Sequence, residues 1–169
     1  KTIQAIAAAE ILAKDGGVER ALIVCPSSLK SQWRQEIEHF SARTALVIDG
    51  PTHRRKGLFE RDLAFFKIIN YDVIHADFEA IAAWSPDLVI LDEAQRIKNW
   101  QTRTAKSVKQ IDSRYAIVLT GTPLENRLEE LHSIVEFVDR HRLGPLFAFK
   151  AAHEVIEPGT VKVVGYRDL

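Results

Sequence analysis

The chain has 169 residues, enough for one domain with a buried core, and its 46% hydrophobic and 27% charged content is that of an ordinary globular protein. Its 23 basic and 23 acidic residues cancel, so any nucleic-acid binding must come from a local basic patch. The single cysteine excludes an internal disulfide and fits a reducing compartment. No apolar stretch is long enough to span a membrane, and the absence of methionine suggests an excised piece of a longer chain.

The first predicted element is an Ala-rich amphipathic helix from Ile3 to Lys14, ended by Gly16-Gly17 and preceded by Lys1-Thr2. Lysine followed by Ser or Thr at the head of a helix is how a phosphate-binding loop ends, with the lysine on the phosphates and the hydroxyl on Mg²⁺. The glycines of such a loop are missing from this sequence. For these two residues alone, a frayed N-terminus is the simpler interpretation.

The next stretch predicts a buried strand and a helix. The strand runs from Arg20 to Cys25 and is stopped by Pro26. Ser27-Ser28 then cap a helix that continues to about Phe40. A spacing of three to four places its inner face at Leu29, Trp33, Ile37 and Phe40.

Two further strands surround a basic segment. Residues 45–48 form a strand ending in a turn at Asp49-Gly50, and residues 65–69 form another, with Asn70-Tyr71-Asp72 beginning the next helix. The segment between them, residues 52–63, is expected to be helical and carries His53, Arg54, Arg55, Lys56 and Arg61. A solvated charged face explains this segment without a ligand.

The central strand is the apolar run Leu88–Leu91, followed directly by Asp92 and Glu93. Such a run is typical of a strand buried on both faces of a parallel sheet, and the carboxyl ends of such strands form the ligand crevice. Mg²⁺ prefers oxygen ligands and usually takes one or two carboxylates plus phosphate oxygens and water. Acids in the first turn of a helix, favoured by the helix dipole, are the alternative explanation.

The last part of the lobe is predicted as a short helix at 95–99, a helix at 102–110 and a strand at 115–119. The strand ends in Thr120-Gly121-Thr122-Pro123. A final amphipathic helix is expected from Leu128 to Val138. Its predicted inner face consists of Leu131, Ile134, Val135 and Val138.

The tail from Asp139 has no clear helical period. β-Prone residues at 155–156 and 161–164 surround Glu157-Pro158-Gly159-Thr160. Pro and Gly at the two central positions suit a type II turn, because glycine accepts the positive φ required there. The tail is therefore expected to form a small β-hairpin at 155–164 that projects from the sheet without joining it.

Strands that alternate with helices, most of them short and almost wholly apolar, predict an α/β fold with a mostly parallel sheet covered on both faces by helices. Polar motifs stand at the carboxyl ends of these strands or at the start of the first helix. They are expected to meet at one edge of the sheet.

The order and the residues of these motifs resemble those of the first RecA-like lobe of superfamily-two helicases. Within that superfamily, they resemble the Swi/Snf-type DNA-dependent ATPases. The resemblance runs from Lys1 to about Phe149 and is carried by LIVCPSSLKSQWRQEI, IINYDVI, LVILDEAQRIKNWQT and VLTGTPLENRLEELHSI. The Asp-Glu-Ala-Gln box differs from the Asp-Glu-Ala-Asp of RNA helicases, and Leu-Thr-Gly-Thr-Pro replaces their Ser-Ala-Thr. The resemblance implies a RecA-like P-loop NTPase lobe at residues 1–138 and an extension at 139–169 that begins a family insertion.

The resemblance also implies catalytic roles. Lys1 and Thr2 match the end of the Walker A loop, where they would contact the phosphates and Mg²⁺. Asp92 matches the Walker B ligand of Mg²⁺, and Glu93 matches the residue that positions or deprotonates the attacking water. Gln95 is similar to a sensor of the γ-phosphate or of the second lobe.

Two further sets of residues are assigned by the resemblance. The motif that couples the nucleotide state to DNA contacts corresponds to Thr120, Gly121 and Thr122. The loops that grip the phosphates of one DNA strand correspond to Pro26, Ser27, Ser28, Asn70 and Tyr71.

The expected function is therefore half of an ATP-driven double-stranded DNA translocase of remodelling or repair type, with ATP and Mg²⁺ as cofactors. Its expected partners are double-stranded DNA and a second RecA-like lobe, in the cytoplasm or nucleoid of a bacterium or the nucleus of a eukaryote. A non-catalytic remnant that binds DNA or protein is the alternative. A third possibility is an unrelated P-loop enzyme such as a small-molecule kinase. The Ile-Asn-Tyr-Asp and Leu-Thr-Gly-Thr-Pro motifs argue against it, because a kinase does not need them.

These residues alone are expected to be nearly inert. The glycine-rich part of the phosphate loop is missing, so its backbone N–H groups cannot cradle a phosphate. The second lobe supplies the arginine fingers in this family, and an arginine finger is worth about 10³–10⁵ in rate.

Overall fold

The computed structural model describes residues 1–61, 63–97, 99, 101–121, 128–157, 159 and 163–167. Five parallel strands form one sheet in the order β2-β3-β1-β4-β5. The strands are β1 (Ala21–Cys25), β2 (Ala45–Val47), β3 (Phe66–Asn70), β4 (Leu88–Asp92) and β5 (Tyr115–Leu119). The predicted α/β architecture with a parallel sheet is confirmed.

Seven helices connect and cover the strands in the part of the chain that is described. They are α1 (Thr2–Asp15), α2 (Lys30–Phe40), α3 (Thr52–Arg61), α4 (Ile74–Trp84), α5 (Arg103–Lys109), α6 (Leu128–Val138) and α7 (Leu146–His153). Short 3₁₀ turns at Ser27–Leu29, Tyr71–Val73 and Ala94–Ile97 follow β1, β3 and β4. None of the described helices has both the length and the apolar character needed to cross a lipid bilayer.

Helices cover both faces of the sheet, which explains why its central strands are apolar at nearly every position. On one face, Ile23 and Ile90 pack with α1 and with Trp33 of α2. On the other face, Val24 and Leu91 belong to the cluster formed with α3, α4 and α5. Each fully buried aliphatic side chain contributes about 1.5–3 kcal/mol of hydrophobic free energy, so burial of these strands is a main source of the stability of the fold.

The strand register aligns the carboxyl ends of the strands. Cys25 pairs with Asn70, Val24 pairs with Leu91, and Asp92 pairs with Leu119. In sheet order, the residues at the ends of β3, β1, β4 and β5 therefore form one row. The loops that follow these four strands therefore all emerge at the same edge of the sheet.

Two predicted helix faces were wrong in detail. In α6, which has the predicted bounds, the buried residues are Leu128, His132 and Ser133. Ser133 Oγ donates to the Ile97 carbonyl at 2.7 Å, so packing against the turn after β4 sets the orientation of this helix. The predicted inner residues Leu131, Ile134 and Val135 are half-buried, and Val138 is exposed.

In α2, the predicted inner residue Phe40 is exposed, whereas Lys30 is buried. The Lys30 ammonium lies 3.3 Å from Asp49 Oδ1, at the end of the segment that follows β2. An ion pair with a neighbouring loop thus turns the first residue of the helix inward.

The tail contains one element that the sequence did not predict and one that it did. Helix α7 escapes a periodicity search because only Phe149 in it is buried, in contact with His132 of α6. Strands β6 (Glu154–Ile156) and β7 (Val163–Tyr166) form the predicted antiparallel hairpin as a separate sheet. Gly159 has a φ of 78°, as the predicted turn requires, but Pro158 and Thr160 lie outside the described residues.

Candidate functional site

The aligned strand ends bring most of the predicted site residues together. Because the register pairs Cys25 with Asn70 and Asp92 with Leu119, the loops after four neighbouring strands emerge side by side. The loops begin with Tyr71, Pro26, Glu93 and Thr120, in sheet order. Thr122 lies outside the described residues.

A chain of hydrogen bonds runs along this edge from the start of α1 to the end of β4. Lys1 Nζ donates to the Thr120 carbonyl at 2.6 Å, and Thr120 Oγ1 donates to Gln95 Oε1 at 3.1 Å. Gln95 Nε2 in turn donates to the Glu93 carboxylate. The predicted convergence of Lys1, Asp92 and Glu93 on one edge is therefore confirmed, and Gln95 bridges the ends of β4 and β5. Thr2, the first residue of α1, directly follows Lys1.

Glu93 has an unusual backbone conformation. Its φ is 54°, in the left-handed region, which costs a residue other than glycine on the order of 1–3 kcal/mol. The conformation ends β4 abruptly, and the Arg96 N–H then donates to the Glu93 carbonyl at 3.0 Å to close the first 3₁₀ turn. A Cβ placed on Gly121 would lie 3.7 Å from Glu93 Oε2, so the segment after β5 passes close to this carboxylate. Strain of this kind is typical of functional sites.

Asp92 is held by three hydrogen bonds. The Trp33 indole N–H donates to Asp92 Oδ2 at 2.8 Å, and the Glu93 N–H donates to Asp92 Oδ1 at 3.0 Å. The Tyr71 hydroxyl donates to the Asp92 carbonyl at 2.8 Å. Each carboxylate oxygen has two lone pairs, so both oxygens keep one for a further ligand.

The donor set at the end of β4 fits Mg²⁺. Within the described residues there is no group of three or more His, Cys, Asp or Glu side chains that could hold a metal ion. Mg²⁺ does not need such a cage, because it is usually held by one or two carboxylates together with substrate phosphates and water. Asp92, with Glu93 beside it, provides that arrangement.

Two groups near Asp92 stay protonated at neutral pH. Burial raises the pKa of the Cys25 thiol to about 12, and the charge of Asp92 acts in the same direction. Burial also raises the pKa of the Tyr71 hydroxyl, again with a contribution from Asp92. Cys25 is therefore a packing residue without nucleophilic character, and Tyr71 remains a hydrogen-bond donor to Asp92.

The predicted DNA-contacting residues lie in the loops after β1 and β3, two neighbouring strands. Pro26 is half-buried, and Ser27 and Ser28 are exposed at the start of a 3₁₀ turn that leads into α2. The first N–H groups of such turns favour phosphate oxygens. Asn70 is 9% exposed and its Nδ2 donates to Asp72 Oδ2 at 3.2 Å. Tyr71 is only 2% exposed, so its side chain faces the core, and a phosphate at this loop would meet backbone groups or neighbouring side chains.

The chain thus combines a parallel α/β sheet with Lys1, Asp92 and Glu93 at the carboxyl edge of that sheet. The chain belongs to the SNF2-related domain family, which matches residues 1–160. Its homologues are SNF2-family ATP-dependent helicases and translocases.

Two curated relatives and one solved structure illustrate the similarity. The putative ATP-dependent helicase/translocase YwqA of Bacillus subtilis is 33% identical over 154 residues, which cover 88% of this chain and 17% of YwqA. The DNA repair and recombination protein RAD54B of Gallus gallus is 30% identical over 162 residues, covering 91% of this chain and 18% of RAD54B. The SWI2/SNF2 ATPase core of Sulfolobus solfataricus in complex with double-stranded DNA superimposes with a TM-score of 0.78 at 31% identity, over 90% of this chain and 32% of that one. The chain thus spans less than a fifth of the length of these two curated relatives.

Sequence reasoning missed the contacts that hold Asp92. Trp33 was assigned to the inner face of a helix because it lies four residues before Ile37, a spacing typical of core residues. The family resemblance places Tyr71 in a loop that grips DNA and gives no role to its hydroxyl group. Neither contact has a signal in sequence spacing, because both join elements that are distant in the chain.

Proposed function

We propose that the chain is the N-terminal ATPase lobe of an ATP-driven double-stranded DNA translocase of remodelling or repair type. The observation that carries this proposal is the hydrogen-bonded chain from Lys1 through Thr120 and Gln95 to Glu93, beside the loops after β1 and β3. Support also comes from the relatives, one of which is described as a helicase/translocase and another as a DNA repair protein. The similar solved ATPase core is in complex with double-stranded DNA.

In the proposed mechanism, each residue of the edge has a distinct task. Asp92 would hold Mg²⁺ through its carboxylate, with the Thr2 hydroxyl as a second ligand, and Lys1 would contact the phosphates of ATP. Bound Mg²⁺ would neutralise the charge that develops on the phosphate oxygens. Glu93 would orient a water molecule and accept its proton. Gln95, held between Glu93 and Thr120, would keep that carboxylate in place and report movement of the segment after β5.

The rest of the motor is also part of the proposal. A second RecA-like lobe would complete the nucleotide site with positively charged groups. The loops at Pro26–Ser28 and Asn70–Tyr71 would contact the DNA backbone. Residues 139–169 would begin the family insertion. A buried thiol as the only cysteine agrees with an intracellular setting, in the cytoplasm or nucleoid of a bacterium or the nucleus of a eukaryote.

The continuous hydrogen-bonded chain favours a working motor lobe over a remnant that only binds DNA or protein. A remnant would have no reason to keep a strained Glu93 whose carboxylate faces Gln95 and Gly121. The strain costs stability, and strain of this kind persists mainly at functional sites.

The test is Glu93→Gln in the full-length protein. The amide keeps the size of the side chain and leaves Asp92 in place, but it cannot accept the proton of the attacking water. We expect kcat of DNA-stimulated ATP hydrolysis to fall by about 10²–10⁴-fold while nucleotide binding persists. Glu154→Gln, which removes a carboxylate in the hairpin, is the matched control and should leave kcat unchanged. Normal turnover by Glu93→Gln would refute the role assigned to Glu93.

We also propose that the 169 residues alone bind ATP weakly and hydrolyse it hardly at all. Lys1 is a single point charge at the chain terminus and cannot replace the backbone N–H groups of a complete phosphate loop. Isothermal titration of Mg-ATP into this chain should give no measurable micromolar binding. A micromolar Kd would contradict this part of the proposal.

A further inference from the structure

Asp92 is held from both faces of the sheet by two buried aromatic residues. Trp33 belongs to α2, in the layer that also contains α1, and is 1% exposed. Tyr71 begins the 3₁₀ turn after β3, belongs to the cluster on the opposite face, and is 2% exposed. The indole N–H binds Asp92 Oδ2, and the phenol hydroxyl binds the Asp92 carbonyl, both at 2.8 Å. The last residue of β4 is therefore fixed at its side chain and at its backbone by two different layers.

Each of these two aromatic residues lies next to a loop at the carboxyl edge. The 3₁₀ turn at Ser27–Leu29 continues directly into α2, and Trp33 is in the first turn of that helix. Tyr71 is itself the first residue of the turn that follows Asn70. A ligand that displaces either loop must therefore move a donor that binds Asp92.

We propose that Trp33 and Tyr71 are positioning residues that couple DNA contact at the loops after β1 and β3 to Mg-nucleotide binding at Asp92. The inference rests on the proposed function for the identity of the two ligands. The coupling itself follows from the two hydrogen bonds. It gives the motor a direct physical route, through one carboxylate, by which DNA can stimulate ATP hydrolysis.

The physical reason is the precision that Mg²⁺ requires. This ion demands near-ideal octahedral geometry, so a small rotation of the Asp92 carboxylate weakens its coordination. The Trp33 N–H and the Glu93 N–H each occupy one oxygen of that carboxylate and fix its rotation. Both aromatic side chains are closely packed in the core. A shift of α2 or of the turn at Tyr71 is therefore transmitted to Asp92.

Coupling of this kind is reciprocal. If DNA increases the affinity for the Mg-nucleotide by some factor, the nucleotide must increase the affinity for DNA by the same factor. A purely structural role for the aromatic residues would change stability, but it would not change that factor selectively. The factor is therefore the quantity to measure.

The experiment uses the full-length protein and a non-hydrolysable ATP analogue, AMP-PNP. The Kd of the analogue is measured with and without a saturating DNA duplex, once in Mg²⁺ and once in EDTA. The Kd of the duplex is measured with and without the Mg-analogue. The variants are Tyr71→Phe and Trp33→Phe. The matched controls are Tyr115→Phe, at the opposite end of the sheet, and Trp84→Phe, at the end of α4.

We expect DNA to tighten Mg-analogue binding in the unaltered protein by a factor in the range of about 5–150. Tyr71→Phe, which removes one oxygen atom, should lower this factor about fivefold, as expected for the loss of one hydrogen bond. Trp33→Phe should lower it at least as much, since its partner is the carboxylate itself. In EDTA, DNA should change the Kd of the analogue by the same factor in the variants and in the unaltered protein. In Mg²⁺, the two controls should retain the full factor.

Each of the other possible results refutes either the proposed function or this inference. If the unaltered protein shows no coupling, the proposed function is wrong, and this inference fails with it. If it shows coupling and Tyr71→Phe retains the full factor, the inference fails while the proposed function stands. If the two controls lower the coupling factor as much as Tyr71→Phe does, general loosening of the core is responsible, and the inference is refuted. Trp33→Phe can leave a void, so Tyr71→Phe, confirmed as folded by its melting temperature, is the deciding variant.

Discussion

The parallel sheet and the hairpin are built from similar β-prone residues, yet they differ in almost every physical respect. In β4, Leu88 to Leu91 are fully buried between two layers of helices. In the hairpin, Ile156 is 51% exposed and Val164 is 56% exposed. The proposed nucleotide site lies at the edge of the first sheet, whereas the hairpin is attached to the end of α7, where the Arg167 N–H donates to the His153 carbonyl at 2.9 Å. Coverage by helices, and not strand propensity, distinguishes the rigid part of this molecule from its periphery.

The largest expected difference between the two regions is in hydrogen exchange. Amides of Leu88–Leu91 should open only with the whole lobe, whose stability is on the order of 5–15 kcal/mol. Amides of Val163–Tyr166 should open locally, because an isolated two-stranded hairpin is only marginally stable. Exchange monitored by mass spectrometry should therefore be faster in β7 by about 10³-fold or more. Equal protection would mean that the tail is part of the core.

A matched pair of substitutions extends the comparison to side-chain packing. Ile90→Ala in β4 leaves a cavity at a site that is 0% exposed, and it should lower the free energy of unfolding by about 2–5 kcal/mol. Ile156→Ala in the hairpin removes the same atoms from an exposed position and should cost about 0.5 kcal/mol or less. Urea titration followed by circular dichroism measures both values. Similar losses from the two changes would show that the hairpin packs as tightly as the sheet.

The smallest expected effect concerns the two ion pairs of Lys150, one of which joins the tail to α6. The Lys150 ammonium lies 2.5 Å from Glu129 Oε1 and 3.3 Å from Glu154 Oε1. The hydrogen bond to Glu129 is the main reason that the pKa of Lys150 is raised. The Lys150 and Glu129 side chains are 32% and 30% exposed, so screening by solvent limits the contribution of this ion pair. Lys150→Met should lower the free energy of unfolding by about 0.5 kcal/mol at pH 7.

The pH dependence of this effect has a definite sign. A raised pKa means that the folded state holds the proton more tightly, so the stabilisation is complete below the pKa of an unfolded lysine, about 10.4. It is lost as the pH rises through the higher pKa of the folded state. The difference between Lys150→Met and the unaltered protein should therefore shrink above about pH 10.4. The exposed Lys56, changed to Met, serves as the control, and a difference that grew with pH would rule out the ion pairs as its source.

Much of the sheet and its ligand edge could be predicted from the sequence. Apolar runs without alternation at β1 and β4 already required a sheet covered on both faces. The acids after Leu91 and the Thr-Gly after Leu119 were expected at one edge, because parallel strands end on the same side. The order of these motifs indicated the family, which the match over residues 1–160 confirms.

Predictions failed where contacts with a distant part of the chain, and not a local apolar pattern, position a helix. Helix α6 presents His132 and Ser133 to the interior because their partners are the carbonyls of Gly144 and Ile97, which no helical period can reveal. Helix α7 forms with a single buried residue, so its sequence lacks an amphipathic pattern. In both helices, the residues that the buried side chains contact lie outside the helix itself, so the periodicity of the helix sequence does not reveal them.

The sequence by itself determined the parallel sheet, the edge at which its polar residues meet and the identity of the motor family, because these depend on local hydrophobic patterns and on strand direction. Only the tertiary structure decided that Trp33 and Tyr71 hold Asp92 from opposite faces of the sheet. It also decided that Glu93 takes a left-handed conformation beside Gly121. The physical reason is that hydrogen bonds between distant elements depend on how helices and strands are packed together, and a linear pattern does not encode those distances.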